Sequence, residues 1–350
     1  MRRYLTALTA IFLVAICYPF AKVPVLSLSQ AKALAARFHF EKFPLPEVPD
    51  QNGDGLLDIY VSNIATKFGL TESHFLWLNT GELARMREGI APYIHGSEKL
   101  GLSRSGFSWE ARLADFDNDG ALEAMQACGF IKGKINRWPE LQALGTSNDQ
   151  IVQNPRFWPS FRPGADLSGN DCNPFFVRGA DGRFYDIAPA LGTAVPMVTR
   201  GIAVADVDGD GRLDYVTANQ WGPSFFFKNE SPKPGAFLGL RLQHANGAPA
   251  IGAVVRATLP DGRRLIGQVD GGNGHSGRRS PDVHLGLGMW DQAKQVPVEI
   301  TWRDRQGKIQ KQALALTPGW RTIRLAETAV LTQSLADPGP ALSRSKGPRK

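Results

Sequence analysis

Cysteine is scarce in this chain. Of 350 residues three are cysteine and six histidine, and no Cys/His cluster has the spacing that holds zinc. Cys17 falls in an apolar N-terminal stretch, so Cys128 and Cys172 are left either to bridge in an oxidising compartment or to remain two unpaired thiols. Neither a glycine-rich phosphate loop after a strand nor a G-x-S-x-G nucleophile elbow is present, which removes the usual nucleotide and α/β-hydrolase frameworks. Long apolar runs are equally rare. Beyond the first twenty residues no segment is long and apolar enough to cross a bilayer.

Those first residues, MRRYLTALTAIFLVAICYPF, set two arginines before an apolar run, the pattern of a secretory signal. Pro19 and Phe20 stand where a small-residue cleavage triplet belongs, and Ile16 before Cys17 does not suit a lipoprotein site. Residues 1–21 are therefore expected to be a signal peptide or an N-terminal membrane anchor. Either one exports the remainder to the periplasm, cell surface or medium.

The net charge of +7 is concentrated at the ends, in Arg2, Arg3, Arg344, Lys346, Arg349 and Lys350. The body between is nearly neutral and lacks the basic footprint of a nucleic-acid binder. The Pro-, Ser- and Lys/Arg-rich residues 327–350 read as a disordered basic tail. Residues 28–40 suit a short helix ahead of the proline-rich FPLPEVP.

Three acidic nonapeptides follow one template: DQNGDGLLD at 50–58, DFDNDGALE at 115–123 and DVDGDGRLD at 206–214. Oxygen-bearing side chains occupy positions 1, 3, 5 and 9, and glycine occupies position 6. Calcium takes about six to eight oxygens, and alternate residues of a tight loop can deliver them to one side. The expected ligands are Asp50, Asn52, Asp54, Asp58 and the Leu56 carbonyl in the first loop. In the second they are Asp115, Asp117, Asp119, Glu123 and the Ala121 carbonyl, and in the third Asp206, Asp208, Asp210, Asp214 and the Arg212 carbonyl. Up to three calcium ions are implied. An EF-hand would need a glutamate at position 12, where Val61, Gln126 and Thr217 stand instead. The β-branched and aromatic runs beside the loops predict that each joins strand to strand.

The loops belong to a longer internal repeat. Residues 175–229 repeat features of a unit that starts at His74 and ends at Phe130, and a partial copy starts at Asp50. Asn63 and Asn79 correspond to Asn219 and Asn229. Residues 131–174 lack the template and read as an insertion with helical pieces, ordered by Trp138, Phe157 and Trp158.

The acidic loops and this repeat resemble the FG-GAP/VCBS repeats, in which such loops decorate β-propeller blades. The resemblance covers about residues 45–232. The following stretch resembles the ASPIC/UnbV domain found after such repeats in cartilage-acidic-protein-like chains, through Gly271–Gly274 and His284-Leu285-Gly286-Leu287-Gly288. It departs from the family at Ser276-Gly277-Arg278-Arg279-Ser280 and at Trp302-Arg303-Asp304. Residues 45–232 are too few for a large propeller. The expected fold is all-β: a small or incomplete propeller-like array, then a small β-sandwich-like domain over residues 236–326.

The implied function is that of an exported binding or scaffold module with structural calcium and a protein or glycan partner, the ligand meeting the loop-rich face and the insertion. A purely structural role in envelope assembly is a further alternative. An extracellular hydrolase, the enzymatic alternative, would draw on His275, Ser276, Asp282 and His284, which show no convincing catalytic pattern.

Overall fold

A computed structural model describes residues 26–36, 40–41, 54, 56–65, 73–232, 234–270 and 280–334. The expected leader, Asp50, Asn52, Gly271–Gly274, His275, Ser276 and residues 335–350 lie outside the described residues.

The fold is all-β, with three blade-like sheets followed by a two-sheet sandwich. The first blade pairs Ile59–Val61, Phe75–Asn79 and Tyr93–His95. The second runs Phe184–Asp186, Phe175–Arg178, Glu123–Cys128, Gly106–Ala114 and Ile64–Ala65. The third runs Phe40–Glu41, Phe225–Asn229, Asp214–Asn219 and Thr199–Ala205, so a strand from near the N-terminus completes the last blade. Every pairing in the blades is antiparallel. The helix expected around residues 28–40 spans Leu28–Ala35 and begins with a Ser27/Gln30 capping box.

Neighbouring blades pack face to face because strand side chains alternate. Phe176 joins Leu76, Leu102, Leu113 and Phe184 in the core shared with the first blade. Its neighbours Phe175 and Val177 point the other way, onto Ile202, Val204, Tyr215 and Phe227 of the third. The strand Gly106–Ala114 departs from this logic. Its buried alternate residues are Ser108, Glu110 and Arg112, and the last two reach the third blade's backbone: Arg112 Nε donates to Ile202 O at 3.0 Å and Glu110 Oε2 accepts from Ile202 N at 2.7 Å.

The insertion occupies the hairpin between Glu123–Cys128 and Phe175–Arg178, with helices Trp138–Gly145 and Asp149–Val152. Trp138 is buried as expected, but Phe157 and Trp158 are 59% and 41% exposed and anchor nothing by burial. Stacked Phe107 and Phe130, with Phe161 edge-on to Phe130, hold its base instead. Cys128 and Cys172 form no disulfide; the buried Cys128 sulfur lies 3.1 Å from Ser108 Oγ.

In the sandwich, one sheet orders Val283–Gly288, Ala236–His244, Gly319–Leu325 and Ala329–Ser334. The other orders Arg264–Gln268, Val254–Thr258, Val296–Arg303 and Ile309–Leu316. Their inner faces share one aliphatic core that includes Leu238, Leu240, Val255, Val298, Ile300 and Ile323. The sandwich runs past the expected boundary at residue 326, because Ala329–Ser334 pairs with Gly319–Leu325. Among the described residues no helix is long and apolar enough to cross a membrane.

Candidate metal centre

The second and third acidic loops each join the first two long strands of a blade, as their flanking residues predict. Their turns are closed by the carboxylate at position 1. Asp115 Oδ2 accepts from Gly120 N at 2.8 Å and Asp206 Oδ2 from Gly211 N at 2.8 Å. Gly120 and Gly211 both have φ of 87°, a left-handed conformation that glycine enters without a Cβ penalty.

In the second loop, carboxylate oxygens of Asp115, Asp117 and Glu123 come within 4.8 Å of one another, and all three residues are buried. Asp119 lies outside this trio, and its Oδ1 accepts from Ala121 N. Burial, reinforced by the neighbouring carboxylates, pushes the Asp115 and Glu123 carboxyls well above their ordinary range. Like charges brought together out of water demand protonation or a cation. The donor set consists of hard oxygens, which suits calcium.

The third loop is more open. Asp206, Asp208 and Asp210 converge within 4.8 Å, the last two exposed. Asp214 at position 9 is turned to the backbone, accepting from Val207 N at 3.1 Å and Asn229 N at 2.7 Å. Burial pushes its carboxyl up to about 7, with the Asp208 and Asp206 charges adding to the rise. Basic partners stand at this loop: Arg212 pairs with Asp210, and Lys228 Nζ lies 3.0 Å from Asp208 Oδ2. In the first loop Asp54 Oδ1 accepts from Leu56 N, and the buried Asp58 accepts from Asn79 N at 2.8 Å.

The sandwich sits on these loops. Trp320 Nε1 donates to Asp206 Oδ2 at 2.6 Å, and His284 Nε2 lies 3.1 Å from the Gly211 carbonyl. The Gly288 amide donates to Asn118 O at 2.7 Å, and Arg263 reaches the Asp119 carbonyl. The backbone of Asp54 in the first loop forms an isolated parallel β-bridge with that of Arg264. A Cβ on Gly286 would lie 1.8 Å from Asp115 Oδ2. A cleft of ≈ 90 Å³ lined by Asp115, Asp206, Gln268, Asp282, His284 and Trp320 remains between the two parts.

Residues 243–332 match the ASPIC and UnbV family. The match contains His284-Leu285-Gly286-Leu287-Gly288, so the ASPIC and UnbV region is the part that rests on the acidic loops. Cartilage acidic protein 1 of Xenopus tropicalis is 30% identical over 275 residues, which cover 76% of this chain and 34% of that protein. The chain thus spans about a third of that relative's length. The crystal structure of wild type pneumolysin aligns at 9% identity with a TM-score of 0.15, over 74% of this chain and 56% of that one. At that score the likeness carries no argument.

This geometry bears on two of the sequence expectations. Among the described residues, the chain's own sandwich covers part of the acidic-loop face expected to meet a ligand. Of the residues considered for hydrolysis, Asp282 pairs with Arg241 at 3.6 Å and His284 is engaged by Gly211. The sequence reading missed Trp320, Arg263 and Phe237 as partners of the loops, since nothing near the template points to residues so distant in the chain.

Proposed function

We propose that this chain is an exported calcium-binding β-repeat protein of the FG-GAP/VCBS kind, acting as a binding or scaffold module for a protein or glycan partner. Calcium is structural in this reading. The observation that carries it is the buried convergence of Asp115, Asp117 and Glu123. A folded state that gathers carboxylates out of water gains most when a divalent ion neutralises them, and the binding energy then adds to folding.

The residues that would hold the ions are Asp115, Asp117 and Glu123 in the second loop and Asp206, Asp208 and Asp210 in the third. Asp54 and Asp58 would serve in the first. The likeness to an animal cartilage acidic protein supports an extracellular setting, where even sites of about 0.1–1 mM affinity would fill. Partner contact would use surface outside the acidic loops, and the exposed Phe157, Trp158 and Phe161 of the insertion favour that region.

Calorimetric titration of chelator-stripped protein with calcium is the direct test. Saturable binding that loses the second-loop site, and only that site, in Asp115→Asn supports the reading, and no heat from either protein refutes it. A glycan array and a pull-down against extracellular proteins, each with and without chelator, would identify the partner.

A further inference from the structure

The strand Val283–Gly288 has an unusual division of labour. Leu285 and Leu287 are buried in the sandwich core, while alternate residues His284, Gly286 and Gly288 face the acidic loops. The imidazole binds the Gly211 carbonyl. Gly286 leaves the space that Asp115 Oδ2 fills, and the Gly288 amide binds the Asn118 carbonyl. Around them Phe237 lies against Gly211, and Trp320 reaches Asp206. The connector closes the same contact, with Gly235 N donating to Asp117 O at 2.8 Å and Asn118 Nδ2 to Gly235 O at 3.2 Å.

Apart from Gly235 O, the acceptors in this interface belong to the proposed metal loops. Four are backbone carbonyls at loop positions 3, 4, 5 and 6, and one is the carboxylate at position 1. Their directions are set by the loop's curl. A bound ion holds that curl and removes the repulsion of carboxylates pressed against an apolar neighbour. Without the ion, burying Asp115 against Gly286 desolvates a charge, a cost relieved when the sandwich lifts away and water enters.

We propose that the face formed by Phe237, His284, Gly286, Gly288 and Trp320 is a docking surface for cation-loaded acidic loops, so that ion occupancy clamps the sandwich to the blades and ion loss releases it still folded. This rests on the calcium reading above. Because the coupling is reciprocal, whatever factor calcium adds to docking, docking must add to calcium affinity.

Hydrogen exchange on the full chain, with calcium and with chelator, reports the docking directly. On chelation the Gly235 and Gly288 amides are expected to lose protection at least about tenfold, within the usual range of coupling between sites. Strands Ala236–His244 and Val296–Arg303 should keep theirs. Gly286→Val should show the undocked pattern even with calcium and bind calcium about tenfold more weakly at the second loop. If Gly286→Val fails to fold, Trp320→Phe keeps the ring and removes the N–H to Asp206; it should expose the interface and weaken the third loop.

Calcium binding with unchanged protection of Gly235 and Gly288 on chelation would overturn the clamp and leave the calcium reading standing. Collapse of protection across the whole sandwich would overturn it too, since that is unfolding and not release. Absence of calcium binding in calorimetry would remove the reading beneath it.

Discussion

The backbone amide of Asn229 donates to Asp214 Oδ1 at 2.7 Å, and its side-chain amide donates to the carbonyls of Leu213 and Phe116. The first blade repeats the arrangement: Asn79 N donates to Asp58 Oδ1 and Asn79 Nδ2 to Leu57 O. Each asparagine ties the end of a returning strand to position 9 of an acidic loop. Asn229 is fully buried and also accepts from Ser231 N and Oγ. Truncation leaves several buried groups unpaired, at about 1–3 kcal/mol for such a group. Asn229→Ala is expected to destabilise by about 2–4 kcal/mol, and the less buried Asn79→Ala by about 1 kcal/mol. Denaturant unfolding of the two variants checks the order.

The Glu110–Arg112 pair gives a second test. Replacing both members of a buried ion pair by apolar residues is often neutral. Here it would strand the Ile202 N–H and C=O, which the pair satisfies from the neighbouring blade. Arg112→Met is expected to cost about 3–5 kcal/mol, and adding Glu110→Leu should recover little of it. Near-complete recovery in the double variant would show that the pair does not hold the second blade to the third.

How much of this was legible in the sequence depends on where the information is local. The loop template is local, with all its ligands inside nine residues, and strand-to-strand loops follow from Tyr215 and Val216 on one side and Val204 on the other. The repeat asparagines were legible for the same reason. The strand Gly106–Ala114 was not. Its alternation of Phe107 and Trp109 with Ser108, Glu110 and Arg112 does not show which face is inward, and the polar face is the buried one because a neighbouring blade offers backbone groups to it. Phe157 and Trp158 misled similarly: aromatic character indicates burial only if a partner surface exists. The docking of Trp320 on Asp206 joins residues far apart in the chain, and no short motif encodes it.

The two better-described loops should differ in affinity. Arg212 and Lys228 neutralise part of the third loop's charge, and both must be displaced or outcompeted by an ion. Partly exposed pairs of this kind contribute about 0–1 kcal/mol each. Lys228→Met is therefore expected to tighten calcium at the third loop by about two- to fivefold and to leave the second loop unchanged. Titration in an Asp115→Asn background isolates the third loop, and an unchanged affinity there would mean that Lys228 does not compete.

Acidity and calcium should act in opposite directions. Without an ion, burial raises the Asp214 carboxyl to about 7 and moves Asp115 and Glu123 the same way, so the folded state holds protons that the unfolded chain has already released. Stability from these groups is then full below the ordinary carboxylate range, about 4, and is lost as pH rises towards 7. Calcium binding requires the deprotonated ligands and so strengthens over the same interval. The melting temperature of chelated protein is expected to fall between about pH 4.5 and 7.5. The calcium-dependent increment, measured at about 5 mM calcium to exceed weak extracellular affinities, should widen across that range. A constant increment would mean that calcium is not competing with protons for these carboxylates.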